Sequence, residues 1–396
     1  MNTFCGFPRA NGPPGIRNHV LVISGELSCN PWTREIASPY DTCWAVTHKH
    51  GIGNFTPDRE VFLRILRGIM LHPNVAGCVL VASGNENYNP ELLVQDVIKL
   101  NRKAHLVSAK TEQHAPTLIE RARLCARQLV EEAADAKRTA CGIDQLRIGL
   151  NCAGTDRVSA KTSHVVCASA MDLIIESGST VVASEIPELI GLGESLLDRC
   201  RSNTVRKALQ RMIKKHQERL LATGEDISQN ELCAANVGGG LRTLSEKSRV
   251  SVMKVGTSPV QDVMRYGEQP KSSGLVFMDG PAFTDFVVTG YMGAGVHMIV
   301  NCCGAGHVNN LPVAVGTDTS SPILPLCKIT GSSAKFRQRS NKIDIDAGPL
   351  LHDKTKVVNV TRHLIKTLLA IASGKQTKTE LGQDIFLNMP VQFYQA

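Results

Sequence analysis

The side chains with chemistry to offer fall in short, recurrent clusters. Glu26 and Ser28 form the first, Thr47-His48-Lys49-His50-Gly51 the second and Gly84-Asn85-Glu86 the third. Cys152-Ala153-Gly154-Thr155-Asp156, Ser184-Glu185-Ile186-Pro187-Glu188, Met278-Asp279-Gly280-Pro281 and Cys303-Gly304-Ala305-Gly306-His307 follow. Each mixes small residues, which let backbone approach a ligand closely, with one or two groups that titrate or coordinate. Singly, each has two readings. His48 and His50 can share one side of an extended segment as metal ligands or an acid/base pair, or can simply pack. Glu185 and Glu188 can hold a cation or cap the next helix. Asp344 and Asp346 alternate like a strand with one polar face, at a site or in solvent. Cys152 is a ligand or a small buried hydrophobe, and Cys152 or Cys303 beside a histidine would make a hydrolase. The recurrence, more than any single member, points to an enzyme.

Something must position these clusters, and the runs before them read as strands. His19–Ser24, Cys43–Thr47, Ala76–Ala82 and Ala104–Ser108 are rich in Val, Ile and Leu and alternate with helical patterns. Thr56-Pro57 opens a helix with the stripe Val61, Phe62, Ile65, Leu66, Ile69 and Met70, Asn89-Pro90 opens another, and Pro116 opens a longer one ending near Arg138. A connection near Thr139–Gln145 leads to a second series of strands: Leu146–Asn151, Thr180–Ser184, Val250–Lys254, Gly274–Met278, His297–Asn301 and Pro325–Ile329. The expected fold is α/β, with two doubly wound, Rossmann-like domains of mainly parallel strands, 1–142 and a larger 146–396. Ligands in such sheets bind beyond the carboxyl ends of the strands, where the clusters lie.

Composition excludes several classes. A chain of 396 residues buries a large core without staples. The net charge of +8 from 44 basic and 36 acidic residues suits small anions better than nucleic acid, and 4% aromatic residues offer little for base stacking. The basic stretch Val205–Leu220 has helical spacing and reads as a solvated or subunit-facing surface. Phe286–Gly306 lacks charge, but its glycines, His297 and Asn301 favour a buried helix and strand over a membrane span. The N-terminus has no signal-peptide core, and thirteen cysteines without C-x-x-C spacing read as reduced thiols, so the expected compartment is the cytoplasm. Neither Gly191-Leu192-Gly193, Gly304-Ala305-Gly306 nor Gly238-Gly239-Gly240 completes a phosphate-binding fingerprint, which argues against a nucleotide cofactor. No Gly-x-Ser-x-Gly elbow supports a serine hydrolase.

Motifs along almost the whole chain resemble the large domain of the altronate and galactarate dehydratases, the UxaA family. They are Gly6-Phe7-Pro8-Arg9-Ala10-Asn11-Gly12, Gly15-Ile16-Arg17-Asn18, His48, Ser184-Glu185-Ile186-Pro187-Glu188-Leu189 and Asn236 with Gly239-Gly240-Leu241. Glu246-Lys247-Ser248, Phe277-Met278-Asp279, Lys328, Asp344-Ile345-Asp346-Ala347-Gly348 and Ala372-Ser373-Gly374-Lys375 complete the set. The sugar-acid branch has cysteines where this chain has Ile52 and Asn85, and an arginine where it has Ala305. The sulfolactate sulfo-lyase branch also lacks those cysteines, and its basic motifs are similar to Arg199-Cys200-Arg201, Val205-Arg206 and Gln210-Arg211-Met212. Gly280 and Val313–Thr319 fit neither branch.

The resemblance implies a lyase of sugar-acid catabolism: loss of water from a hydroxy acid to give a 2-oxo acid, aided by Fe(II) or Mn(II). The alternatives are sulfite elimination from sulfolactate, or a non-catalytic subunit of the same fold. It also implies a homo-oligomer and a separate small chain of about 90 residues, a size that can fold alone. A cation chelated by the substrate's carboxylate and C2 hydroxyl would stabilise the enediolate formed on proton loss. The expected metal ligands are Asp156, Glu185 and Glu188. His48 is the expected base, His50 or Lys247 the acid or orienting group, and Arg17, Asn18, Ser159, Asp279 and Lys328 the substrate contacts.

Overall fold

The computed structural model describes residues 3–53, 55–112, 114–226, 232–305, 307–308, 311–312, 321–380 and 384–390. The side chains of 307, 308, 311, 312 and 354 lie outside that description, as do Gly306 and the segment 313–319. At the start, β1 (Thr3–Gly6) pairs antiparallel with β6 (Thr139–Gly142), so the first residues clasp the connection between the two units. The first unit supplies β2 (His19–Ser24), β3 (Cys43–Thr47), β4 (Val75–Ala82) and β5 (Lys103–Ser108). The second supplies β7 (Arg147–Gly154), β8 (Thr180–Ala183), β9 (Val260–Met264), β10 (Gly274–Met278), β11 (Met298–Cys303), β14 (Leu326–Thr330) and β15 (Ile345–Asp346). A short hairpin, β12 (His307–Val308) with β13 (Leu311–Pro312), follows β11. The tail returns to the first sheet as β16 (Ile385–Phe386), pairing with β3.

Both large sheets are parallel throughout, in the orders β16-β3-β2-β4-β5 and β15-β14-β11-β7-β8-β10-β9. The expected division between 142 and 146 falls between β6 and β7, while β16 lies across it. Apolar faces dictate the layering. Helices Asn30–Ala37 and Ala115–Ala134 cover the outer face of the first sheet, and Ser163–Glu176 and Val357–Ala372 that of the second. Between the sheets lie Thr56–Met70, Pro90–Lys99 and Thr284–Gly293, in one core drawn from both units. Two of these inner helices meet backbone to backbone: a Cβ on Gly68 would fall 2.0 Å from the Gly293 carbonyl oxygen, so only glycine fits there.

The uncharged stretch around 286–306 is a buried helix and the central strand β11, and no described helix is long and apolar enough to cross a membrane. One expected strand is wrong. Val250–Lys254 is the end of the helix Leu244–Val252 and a 3-10 turn, Met253–Val255. Its β-branched residues mimic a strand, but the helical path puts Ser251 and Lys254 on one side, where both reach a carboxylate.

Candidate active site at the strand ends

Each sheet reverses its winding at one strand, β2 in the first and β7 in the second. The gap above such a strand is where a doubly wound sheet leaves room for a ligand. Both exits carry reactive side chains.

Above the first sheet, Glu26 and Cys29 follow β2 and Glu86 follows its neighbour β4. One ligand atom from each of these three lies within 4.8 Å of the others, the one group of three potential metal donors found among the described residues. Glu26 accepts from Ser28 through its backbone N–H (2.7 Å) and its hydroxyl. Glu86 accepts from the backbone of Ser83 (2.7 Å) and Gly84 (2.9 Å). Burial opposes ionisation of Glu26, but its Ser28 hydrogen bonds outweigh it and lower the pKa. Burial pushes the Cys29 thiol up to about 12. Two carboxylates and a thiol match the donor chemistry of a divalent transition metal, and binding would draw the proton from the thiol.

His48 and His50 follow β3, on the other side of β2. His48 is fully buried with both ring nitrogens occupied: Nε2 donates to the Ser24 carbonyl (2.7 Å), and Nδ1 accepts from the His50 backbone N–H (3.2 Å). Burial lowers its pKa to about 4. This corrects its expected role as base, because neither nitrogen is open to a substrate proton. His50 is half-buried, its ring has no hydrogen-bond partner among the described residues, and burial lowers its pKa, so it is neutral near pH 7. It lines a cleft of about 570 Å³ with Lys49, Asp58 and the tail residue Asn388. Gly51 presses the loop onto Glu26, where a Cβ would stand 2.6 Å from the Glu26 Cβ. Asn87 N–H donates to the Gly51 carbonyl (2.9 Å), joining the loops that carry Ile52 and Asn85.

Above the second sheet, Glu185 and Glu188 do come together, but around an ammonium. Lys254 Nζ lies 3.1 Å from Glu185 and 3.4 Å from Glu188, all three buried, and Ser251 also donates to Glu188. Burial opposes the charge on Lys254, yet the two carboxylates raise its pKa well above the usual ammonium value. Burial raises the Glu185 pKa, whereas Lys254 and then Lys247 overcome burial at Glu188 and lower it. Glu185 is held in the left-handed region, φ +63°, a strained state for a residue with a Cβ, and accepts from the Cys152 N–H (3.1 Å). Asp156 is bound by backbone instead: it accepts from Ser159 N–H (2.7 Å) and Ala305 N–H (2.8 Å), and a Cβ on Gly304 would strike it at 1.9 Å. The expected metal set of Asp156, Glu185 and Glu188 therefore does not fit a cation, since Lys254 already fills the space between the glutamates. The Cys152 Sγ lies 3.6 Å from His164 Nε2, but burial raises the thiol pKa far up and lowers the imidazole to about 4. The proton stays on sulfur, against a thiolate hydrolase.

A polar row crosses the other face of this sheet, toward the first unit. Registered neighbours Asn151, Asn301 and Lys328 stand on β7, β11 and β14, all buried. Asn151 Nδ2 donates to Asn301 Oδ1 (3.3 Å) and Thr284 Oγ1 (3.2 Å), while Asn151 Oδ1 and Asn301 Nδ2 have no partner among the described residues. Lys254, His164 and the two asparagines escaped the sequence reading, since no local spacing marks a partner that lies far along the chain.

The remaining expected contacts lie elsewhere. Arg17 and Asn18 precede β2, at the opposite edge of the sheet. Arg17 spends its guanidinium on Glu380 (2.7 and 2.8 Å) and on the carbonyls of Ile16, Ile371 and Lys375, which makes it a clamp between chain segments and corrects its expected substrate role. Asn18 Nδ2 donates to the Ala133 carbonyl, equally far from the strand exits. Ser159 closes the turn that fixes Asp156. Asp279 receives His216 Nε2 at 2.6 Å and Lys215 at 3.4 Å, so the basic helix Asn203–Leu221 reaches the strand ends. Lys247 is buried and acts on Glu188 through its charge.

The geometry can be set beside known proteins. The family model "D-galactarate/Altronate dehydratase, C-terminal" matches residues 143–390, and "D-galactarate dehydratase/Altronate hydrolase, second domain" matches 6–134. The chain is 27% identical to altronate dehydratase of Escherichia coli over 386 residues, 94% of this chain and 74% of that protein. It is 27% identical to (2R)-sulfolactate sulfo-lyase subunit beta of Chromohalobacter salexigens over 389 residues, 97% of this chain and 96% of that one. Galactarate dehydratase of Escherichia coli is 27% identical over 328 residues, 81% of this chain and 60% of that protein.

Proposed function

The chain belongs to the D-galactarate/altronate dehydratase family, a family of lyases, and from that premise we propose that it eliminates the C3 substituent of a small 2-hydroxy acid to give a 2-oxo acid. The observation that supports this reading is a half-buried, neutral His50 lining a cleft after β3, with the Glu26, Cys29 and Glu86 donors grouped after the neighbouring strands β2 and β4. His50 takes the C2 proton. His48 holds the His50 backbone and so positions the base. Lys49, exposed at the mouth of the cleft, attracts the substrate carboxylate. A divalent ion, Fe(II) or Mn(II), held by Glu26, Cys29 and Glu86 would supply positive charge against the second negative charge that develops on proton loss. Asn151 and Asn301 offer a hydroxyl acceptor and a carboxylate donor on the face toward the first unit.

A second reading, sulfite elimination from a sulfolactate-like acid, is supported by the similarity to (2R)-sulfolactate sulfo-lyase subunit beta over 97% of this chain. Water leaves only if a donor protonates it, whereas sulfite departs as a stable anion and needs a cationic surrounding. As that relative is named a subunit, the chain works in this reading with a separate small partner of about 90 residues, enough to fold alone.

The test is an assay of the purified chain with Fe(II) or Mn(II) and its small partner against altronate, galactarate and (2R)-sulfolactate, reading 2-oxo acid and sulfite. Turnover of one substrate is expected, with His50→Ala lowering kcat roughly 10²- to 10⁴-fold. Absence of both products, while the relatives respond in parallel, overturns the lyase reading.

A further inference from the structure

A second cleft, of about 490 Å³, is lined by residues at or just before the starts of β4, β5 and β7 and by the loop from β9 to β10. Its cationic lining is Arg64 and Arg67 of the helix Thr56–Met70, Arg102 before β5, Arg147 at the start of β7, and Arg265 with Lys271 on the loop from β9 to β10. The first three come from one unit and the last three from the other. Arg102 is spent on the helix end, donating to the carbonyls of Leu71, His72 and Val75. Arg67 pairs with Asp96, and Arg265 and Lys271 share Glu268, the lone carboxylate in the lining. Arg64 and Arg147 form no ion pair among the described residues, although the charges of Glu268 and Glu60 act on Arg64: Arg64 reaches the Tyr266 carbonyl (2.9 Å) and Arg147 the Gln269 side chain (3.3 Å).

Two guanidiniums, one from each unit and each hydrogen-bonded to an uncharged group, line a cleft with more cations than carboxylates, an electrostatic arrangement that an anion would complete. Burial pushes the Arg147 pKa down to about 10, and burial with the neighbouring Arg265 lowers that of Arg64, so the cleft holds its positive charge at a cost. Guanidinium forks match the oxygens of phosphate and carboxylate groups in pairs. The volume lies within the range of small-molecule sites.

We propose that this cleft is a binding site for a compact oxyanion of two or more charges, which bridges Arg64 of the first unit to Arg147 of the second. Occupancy ties the units together, and so couples the anion's concentration to the alignment of the strand ends of the two sheets. Phosphate-type and polycarboxylate ligands share this chemistry, and the experiment separates them.

Pyrophosphate and citrate are titrated by calorimetry into the full-length chain at constant ionic strength, with sodium chloride as the balancing salt. Saturable binding of one anion per chain is expected for at least one of them. Binding of pyrophosphate alone identifies a phosphate-type ligand, and binding of citrate alone a polycarboxylate. Arg64→Gln with Arg147→Gln should weaken binding at least tenfold while leaving the circular dichroism spectrum and elimination measured without added anion unchanged. If that pair fails to fold, Lys271→Glu, at an exposed position, should weaken binding at least threefold. Heat that follows ionic strength alone, or binding indifferent to the substitutions, overturns the proposal.

Discussion

Lys254 decides whether two buried carboxylates can coexist beside β7. Removing it leaves Glu185 and Glu188 facing each other without a counter-charge, and breaking a buried ion pair costs about 3–5 kcal/mol. Lys254→Met should lose about that much in urea unfolding, and adding Glu185→Gln should recover part of it. A loss under about 1 kcal/mol would mean that the ammonium is not holding the pair. The amide row makes the opposite trade. An uncommitted buried amide costs about 1–3 kcal/mol, so Asn301→Leu should be neutral or stabilising in the same measurement while raising KM by about tenfold if the amide binds substrate. Both effects rest on partners that sequence spacing hides: Glu188 and Lys254 are 66 residues apart. The glutamates themselves were legible, standing three apart after a strand. Their ligand was not, because an ammonium and a metal ion make the same demand on carboxylates.

The helix Thr56–Met70 shows how far an element can be read. Its stripe of Val61, Phe62, Ile65, Leu66, Ile69 and Met70 is buried as the periodicity predicts, since a helix with one apolar face must cover it. The same pattern cannot name the surface it covers. Here that surface includes the second unit, through contact of Gly68 with Gly293. Gly68→Ala would gain helix propensity on its own, but the added methyl collides with backbone that has no rotamer to change. Net destabilisation of about 1–3 kcal/mol is expected in thermal unfolding, and a rise in Tm would show that the helices move apart freely. The strands were legible where Val and Ile run together and misleading at Val250–Lys254, where tertiary contacts of Ser251 and Lys254 favour a helical path over β propensity.

Across the whole molecule, four fully buried histidines set the response to acid. His48, His72, His164 and His297 each bond a ring nitrogen to a backbone carbonyl, of Ser24, Val296, Val250 and Pro14 in turn. Two of these bonds join the units directly: His72 of the first reaches Val296, and His297 of the second reaches Pro14. Burial lowers the pKa to about 4 for His48 and His164, to about 3 for His297 and well below the ordinary value for His72. A histidine whose pKa is depressed on folding contributes full stability above its unfolded value, near 6.5, and loses it as pH falls toward the folded value. Glu185 works the other way, because its raised pKa favours the protonated folded form, but it is one proton against these four, and burial lowers His19 and His50 in the same direction. The net slope near pH 5.5 is therefore on the order of 3 kcal/mol per pH unit. With total stabilities of about 5–15 kcal/mol typical of domains, such a slope is decisive within about two units. Urea unfolding should weaken steeply between pH 6.5 and 5, and hydrogen exchange should rise first around Pro14, His72 and Val296, where the protonated rings would part the units. A stability that stays within about 1 kcal/mol over that range would show that these rings are already charged, or reach water, in the folded chain.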